Sequence, residues 1–406
     1  MADFEQLIET AIAENEIPGC VLNAVNRDGS FTYSKAFGKR SVREGGDQSP
    51  LTPSTIMWIA SCTKLMTSIC AMQLVERGLL SLDEPVYKLI PELKDFPIIT
   101  GIDESGKPIE IPHTTPMTLR HLLSHSSGMT YDQIHPLTIA WAKYHGQDAG
   151  ASGDLLTRFS CPMIFEPGTS WFYGASVDYA GLLIERATGE TLEEFMKTNL
   201  WEPLGIKNMT FAMSRRPDLK ERQAEISERD EKTGKMRFMD ARQPYMDANR
   251  QDVKSCMGGQ GAFASPEEYI KVLQALLTSD ENEKILKKET VDLFFTPQLS
   301  PGGVAALNMI LTDETTNNAM GGTAKHIEKN WGLGGLLLQG DDDDGKTTGT
   351  MVWGGLPNIA WFCDRKAGLC GLYSGQVLPT GDAKIAVLQR KFEAAMYEQY
   401  NKNRNV

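Results

Sequence analysis

No stretch of the 406 residues approaches the roughly 20 consecutive apolar positions that a membrane-spanning helix needs, and no membrane partner is expected. The opening Met1-Ala2-Asp3-Phe4-Glu5 lacks the basic and apolar regions of a secretory signal, which makes a cytoplasmic location the expectation. Cysteines number seven, an odd count without paired spacing, so reduced thiols are expected rather than a disulfide framework or a zinc site. Neither a metal nor a cofactor is called for. A net charge of -12 argues against nucleic acid or anionic lipid as the main partner and leaves small molecules. Internal repeats with a period of about 20 to 50 residues are missing. So are a G-x-S-x-G elbow, an H-E-x-x-H helix and a P-loop.

What remains is an ordinary globular composition, 41% hydrophobic and 23% charged, long enough for one large core or two lobes. One pair stands out. Ser61 is the only serine with a lysine three residues downstream, and Ser61-Cys62-Thr63-Lys64-Leu65-Met66 opens a helix that runs to Arg77 and stops at Gly78. One turn of helix sets residues i and i+3 on one face, so the Ser61 hydroxyl and the Lys64 amine can meet. The helix is apolar nearly all round, which predicts a core position for Lys64. To serve as a base near neutral pH, a lysine must fall about three units from its free value of roughly 10.4, about 4 kcal/mol of destabilised ammonium. Burial and a helix N-terminus both act in that direction. The same spacing also fits a lysine that snorkels to water from an ordinary core helix. Cys62, beside the serine, reads as buried packing.

Along the chain, Phe4, Leu7, Ile8, Ala11 and Ile12 mark an amphipathic first helix, followed by a strand from Cys20 to Val25 and a turn at Asp28-Gly29. Between about Pro85 and Ala187 the pattern is helix and loop, with helices near Leu119 to Leu123 and Val177 to Ala187, the latter closed by Gly189. Thr191 with Glu194, and Ser265-Pro266 with Glu268, are expected capping boxes. Trp331 to Leu338, Thr347 to Trp353, Asn358 to Cys363 and Leu369 to Ser374 read as strands, and a helix closes the chain around Phe392 to Tyr400. The acidic run Asp341 to Asp344 reads as a solvated hairpin turn, and Lys232-Thr233-Gly234 as a hairpin tip. The expected fold is α/β (α+β): one antiparallel sheet built from both ends of the chain, flanked by helices, with a mainly helical lobe inserted. In numbers, 1–85 and 190–406 form a discontinuous α/β domain and 86–189 the helical lobe, with the active site between them.

These residues resemble the SxxK serine hydrolase superfamily of class C β-lactamases, DD-peptidases and their esterase relatives. Ser61-Cys62-Thr63-Lys64 matches the SxxK element, and HLLSHSSGM (His121 to Met129), PGTSWFYGAS (Pro167 to Ser176), GGQGAF (Gly258 to Phe263) and WGG (Trp353 to Gly355) follow in the superfamily's order. The expected fold is therefore β-lactamase/transpeptidase-like. Within the superfamily the whole chain is most similar to fungal acyltransferases of the lovastatin type, notably at IPGCVL, RATGETLEEF, GGQGAFASP and PNIAWFCDRKAGLC. The resemblance implies Ser61 as nucleophile, Lys64 as its base partner and Tyr173 as second base or proton shuttle. A phenol beside a lysine ammonium is expected to lose its proton more easily. The resemblance further implies an oxyanion hole from the backbone N–H groups of Ser61 and of Gly355 or Leu356, and a substrate pocket edged by Trp353, Gly354 and Trp171.

Departures from the superfamily pattern narrow the chemistry. Trp353-Gly354-Gly355 stands where lactamases carry Lys-Thr-Gly, and Ala175 stands where an asparagine usually follows the tyrosine by two positions. Esters or thioesters suit such a site better than β-lactams. His121 and His125 read as hydrogen-bonded structural residues of their loop. The favoured function is a serine acyltransferase of fungal-type secondary metabolism that moves an acyl group from a thioester or activated ester to an alcohol through a Ser61 acyl-enzyme. An esterase or thioesterase using water, and a noncatalytic binding protein with the same fold, are the rivals. An acyl carrier protein as donor would need a basic patch, for which Arg215, Arg216, Lys220 and Arg222 are candidates; they read more simply as a solvated helix face.

Overall fold

Gly19–Asn26 is buried at every position, the signature of a strand covered on both faces, and it forms the inner strand β1 of the main sheet. The structure, a computed structural model, describes residues 3–404 other than 132, 148, 149, 151 and 244; Met1 and Ala2, part of the N-terminal reading, lie outside them. Helix α1 (Asp3–Ala13) precedes β1, and β2 (Thr32–Gly38) follows it across a turn in which Asp28 accepts the Ser30 N–H at 2.9 Å. The other five strands come from the far end of the chain: β3 (Lys329–Trp331), β4 (Leu336–Leu338), β5 (Met351–Gly355), β6 (Ile359–Asp364) and β7 (Leu369–Ser374). They assemble in the order β3-β4-β5-β6-β7-β1-β2, with every pairing antiparallel.

Helices cover both faces. Successive strand residues point to opposite sides, so Phe362 and Cys363 of β6 report the two coverings. Phe362 stacks on Tyr397 of the closing helix, Ala383–Arg404, at 5.3 Å, whereas the Cys363 thiol faces the carbonyl of Leu273 in Pro266–Asn282. The closing helix shares its face with α1: the Phe392 ring lies 6.1 Å from Phe4 and 6.0 Å from Tyr33. Truncating the fully buried Phe392 to alanine should cost about 3–5 kcal/mol. Helix α2 (Thr63–Glu76) packs on α3 (Ser176–Thr188), and the turn that enters α2 abuts β5. Among the described residues no helix is long and apolar enough to cross a membrane.

Several local expectations change. Trp331 to Leu338 is two strands, because Gly332 turns the chain where a Cβ would lie 2.2 Å from the Phe294 carbonyl oxygen, and Gly332 N–H bonds Gly335. Thr347 to Thr350 is a turn pinned by Asp364, so β5 begins at Met351. The segment expected to be helix and loop contains a β-hairpin, Pro97–Ile102 with Pro108–Pro112, whose tip is organised by the Asp103 carboxylate accepting the N–H groups of Ser105 and Lys107. Thr191 and Glu194 form their capping box, but Ser265 and Glu268 do not. Glu268 turns instead to the N–H groups of Lys207 and Asn208. The acidic run is a turn yet not merely solvated: Asp344 and Glu393 flank the fully buried Lys346 amine. Burial works against that charge, but the two carboxylates outweigh it and keep the amine protonated. Lys232 to Gly234 lies at the tip joining Ser227–Arg229 to Met236–Phe238, as expected.

Candidate active site

Ala60 holds a left-handed φ of 45°, unusual for a residue with a Cβ, and that kink aims Ser61 out of a 3-10 turn at the mouth of α2. Such a conformation costs on the order of 1–3 kcal/mol and persists only where neighbours over-determine it. Here the Ala60 carbonyl accepts from Thr63 Oγ1 at 2.7 Å, Ile59 N–H bonds Ala262, and the Cys62 carbonyl accepts from Tyr269 Oη at 2.8 Å. The end of β5 presses on the same turn. A Cβ on Gly355 would stand 2.4 Å from the Ile59 oxygen, so the approach to this turn requires that glycine, and one on Gly354 would stand 2.2 Å from the Ile359 oxygen of the neighbouring strand β6.

Three sequence-predicted groups converge. Tyr173 Oη donates to Ser61 Oγ at 2.6 Å, and Lys64 Nζ stands 3.3 Å from the same oxygen. Lys64 is buried and also donates to the Gly259 carbonyl at 2.6 Å and to Tyr131 Oη at 3.0 Å. Burial drives its amine down to about 8, against the pull of the Asp178 charge. The Tyr173 phenol differs from expectation: burial raises it above the ordinary phenol value, and its bond to Ser61 and the nearby Trp353 indole only partly offset that. It is a neutral donor at Ser61, not an activated phenolate.

Two members of this cluster have no counterpart in the sequence reading. Tyr131 follows the HLLSHSSGM segment by two positions, and Asp178 is the lone acid on the buried face of α3. Their only signal is Asp178 among Val177, Tyr179 and Ala180, an acid where apolar residues surround it. Ala175, where the superfamily pattern has an asparagine, brings no polar side chain, and Lys64 finds a polar partner in the Tyr131 hydroxyl.

The remaining expected residues divide. Ser61, Gly354, Gly355, Leu356, Trp353 and Trp171 all line one cleft of about 620 Å³ beside Lys64 and Tyr173. Trp353 packs 5.0 Å from the Tyr173 ring and 4.6 Å from Trp331, which carries Trp171 on its other contact at 5.4 Å. Arg158 and Arg242 bring positive charge to the cleft wall. His121 is hydrogen-bonded as expected, its Nδ1 accepting the Thr118 N–H at 3.3 Å. His125 is not. Its fully buried ring lies 4.7 Å from Tyr173 and 5.2 Å from Trp331, neither ring nitrogen has a partner among the described residues, and burial keeps it neutral. Cys62 is buried and its thiol is pushed upward by desolvation, so it is packing. Arg215 and Arg216 are paired with Glu193 and Asp218, and Arg222 donates to the Ser54 carbonyl; of the four basic candidates these three serve local structure.

A serine hydroxyl, a buried lysine and a tyrosine at the mouth of a core helix beside an antiparallel sheet define a class. The description Beta-lactamase matches residues 4–389, and the chain belongs to the β-lactamase family. It is 40% identical over 408 residues, 98% of this chain and 94% of the other, to an ML-236A carboxylate methylbutanoyltransferase of Penicillium citrinum. A lovastatin esterase of Penicillium rubens is 34% identical, with 98% of each chain covered. Among solved structures, a mutant of simvastatin synthase from Aspergillus terreus superposes with a TM-score of 0.91 at 39% identity, covering 98% of this chain and 97% of the other.

Proposed function

We propose that this protein is a serine acyltransferase of fungal-type secondary metabolism that carries an acyl group on Ser61 from a thioester or activated ester to an alcohol. The observation that carries the reading is the meeting of Tyr173 Oη and Lys64 Nζ at Ser61 Oγ, 2.6 and 3.3 Å away. Lys64, in its uncharged form, takes the serine proton as Oγ attacks the acyl carbon. Tyr173 steadies Oγ and orients the transfer through its own O–H; the proton that Lys64 has taken goes to the leaving group as the acyl–leaving-group bond breaks, and in the second half Lys64 takes the proton of the incoming alcohol and returns it to Ser61 Oγ. The N–H groups of Ser61 and of Gly355 or Leu356 receive the charge on the acyl oxygen; losing one such donor typically costs about a hundredfold to a thousandfold in rate. Trp353, Gly354 and Trp171 shape the pocket, and Arg158 and Arg242 are the cations within reach of an acidic acceptor.

The division into 1–85 with 190–406, and 86–189, goes with this reading: the serine and the β5 end come from the first unit and Tyr173 from the second. A carrier protein as acyl donor and a cytoplasmic setting belong to the same proposal. The carrier would meet Lys220 and not the three arginines beside it, since those are engaged locally.

An esterase reading is favoured by one observation, the 34% identity to a lovastatin esterase over nearly the whole chain. Incubation with a short-chain acyl thioester and an alcohol bearing a carboxylate separates the two. Ester as the main product supports transfer, free acid alone supports hydrolysis, and release of neither leaves a noncatalytic binding protein.

A further inference from the structure

Asp178 reaches none of the reacting atoms, yet it touches both groups that hold Lys64. Its carboxylate, fully buried near the start of α3, accepts the Gly259 N–H at 2.9 Å on one oxygen and the Tyr131 phenol at 3.2 Å on the other. Gly259 in turn presents its carbonyl to Lys64 Nζ at 2.6 Å, and the Tyr131 oxygen stands 3.0 Å from the same nitrogen. Both contacts donate toward Asp178, the arrangement an ionised, acceptor-only carboxylate calls for. The fit is close: a Cβ on Gly259 would lie 2.3 Å from Asp178 Oδ2, so this peptide can meet the carboxylate only as glycine. The neighbouring peptide is fixed independently, since Thr67 Oγ1 donates to the Gly258 carbonyl at 2.7 Å.

We propose that Asp178 is a positioning residue for Lys64: through Tyr131 and the Gly259 peptide it holds the amine against Ser61. The inference rests on the acyl-enzyme reading given above. Two opposed influences meet at Lys64, burial favouring the free amine and the Asp178 charge favouring the ammonium. The other groups facing Lys64 are the Cys62 thiol, which weakly supports the ammonium, the neutral phenols of Tyr131 and Tyr173, and the neutral His125 ring. Burial opposes the Asp178 charge and raises its carboxyl, while the Lys64 charge, the Gly259 N–H, the Tyr131 hydroxyl and Arg158 favour it; burial and the Asp178 charge keep the Tyr131 phenol neutral, with Arg158 opposing only in part. A charge that holds back deprotonation while ordering the base trades some reactivity at neutral pH for a fixed line of proton transfer.

Asp178→Asn keeps the size and an acceptor for Gly259 but removes the charge. Single-turnover acylation by a short-chain acyl thioester, followed by intact mass between about pH 6 and 10, compares it with the wild type. The acidic limb should move down by about one pH unit. The plateau rate should fall about tenfold, with the thioester concentration for half-maximal rate unchanged. Tyr131→Phe cuts one of the two links and should lower the plateau severalfold without altering that half-maximal concentration. A wild type that never gains acyl mass removes the acyl-enzyme reading itself. A wild type that acylates while Asp178→Asn keeps the same limb and plateau overturns the role of Asp178 alone. If circular dichroism shows Asp178→Asn unfolded, Tyr131→Phe decides, and a wild-type plateau in that variant overturns the proposal.

Discussion

Lys64 stands over the ring of Tyr173, its Nζ 4.6 Å from the ring centroid, and so addresses the face of the phenol and not its oxygen. The two groups are stacked around Ser61 without sharing a proton directly. A cation over a ring face is stabilised by the ring quadrupole but does little to ionise the hydroxyl at its edge. The phenol therefore stays neutral and the lysine carries the titration.

That assignment has a pH consequence. With Lys64 as the proposed base, acylation needs it uncharged, and burial lowers its amine to about 8, so the rate should climb as pH rises through that value and level off above it. Stopped-flow acylation against pH checks this; a profile flat from about pH 6 to 9 would assign the base elsewhere.

Tyr173→Phe keeps the ring that packs against His125 and Trp353 and deletes only the hydroxyl 2.6 Å from Ser61. The fold should be unchanged by circular dichroism, and acylation should fall by about 10² to 10⁴, the usual worth of a positioned proton donor. A rate within a few-fold of wild type would free Tyr173 from any part in proton transfer.

His125 should report on stability. Buried and neutral, it is held well below the ordinary value of 6.5, so the unfolded chain binds a proton that the native protein refuses. Its contribution is intact above about pH 6.5 and is lost as pH falls below it. Urea midpoints for wild type should drop between about pH 7 and 5, and His125→Phe should show a shallower decline.

Lys346 is a second stability probe, remote from the chemistry. With Asp344 and Glu393 around its buried amine, Lys346→Ala leaves carboxylates without their cation and should destabilise by about 3–5 kcal/mol. Chemical denaturation measures it; a loss under about 1 kcal/mol would mean that water replaces the lysine.

Legibility in the sequence followed sequence distance. Helix α2, the closure of α3 at Gly189 and the strand Leu369–Ser374 stand where periodicity and a terminal glycine put them, since those signals are local. Ser61 and Lys64 were legible because one helical turn joins them. Asp178 and Tyr131 were not, because Tyr131 meets Lys64 across 67 residues and no spacing rule encodes that contact. Ser265 and Glu268 carry the same box pattern as Thr191 and Glu194, yet two N–H groups about 60 residues upstream compete for the Glu268 carboxylate and win. The same limit explains His125: its environment is three aromatic rings, all from two segments distant in the chain.

The most direct measurement is intact mass after exposure to a short-chain acyl thioester, in wild type and in Ser61→Ala. The account predicts one acyl mass gained by the wild type, mapped by peptide digestion to Ser61, discharged on adding an alcohol acceptor and absent from Ser61→Ala. An adduct that persists in Ser61→Ala, or a wild type that turns over thioester without ever carrying acyl mass on Ser61, would contradict it.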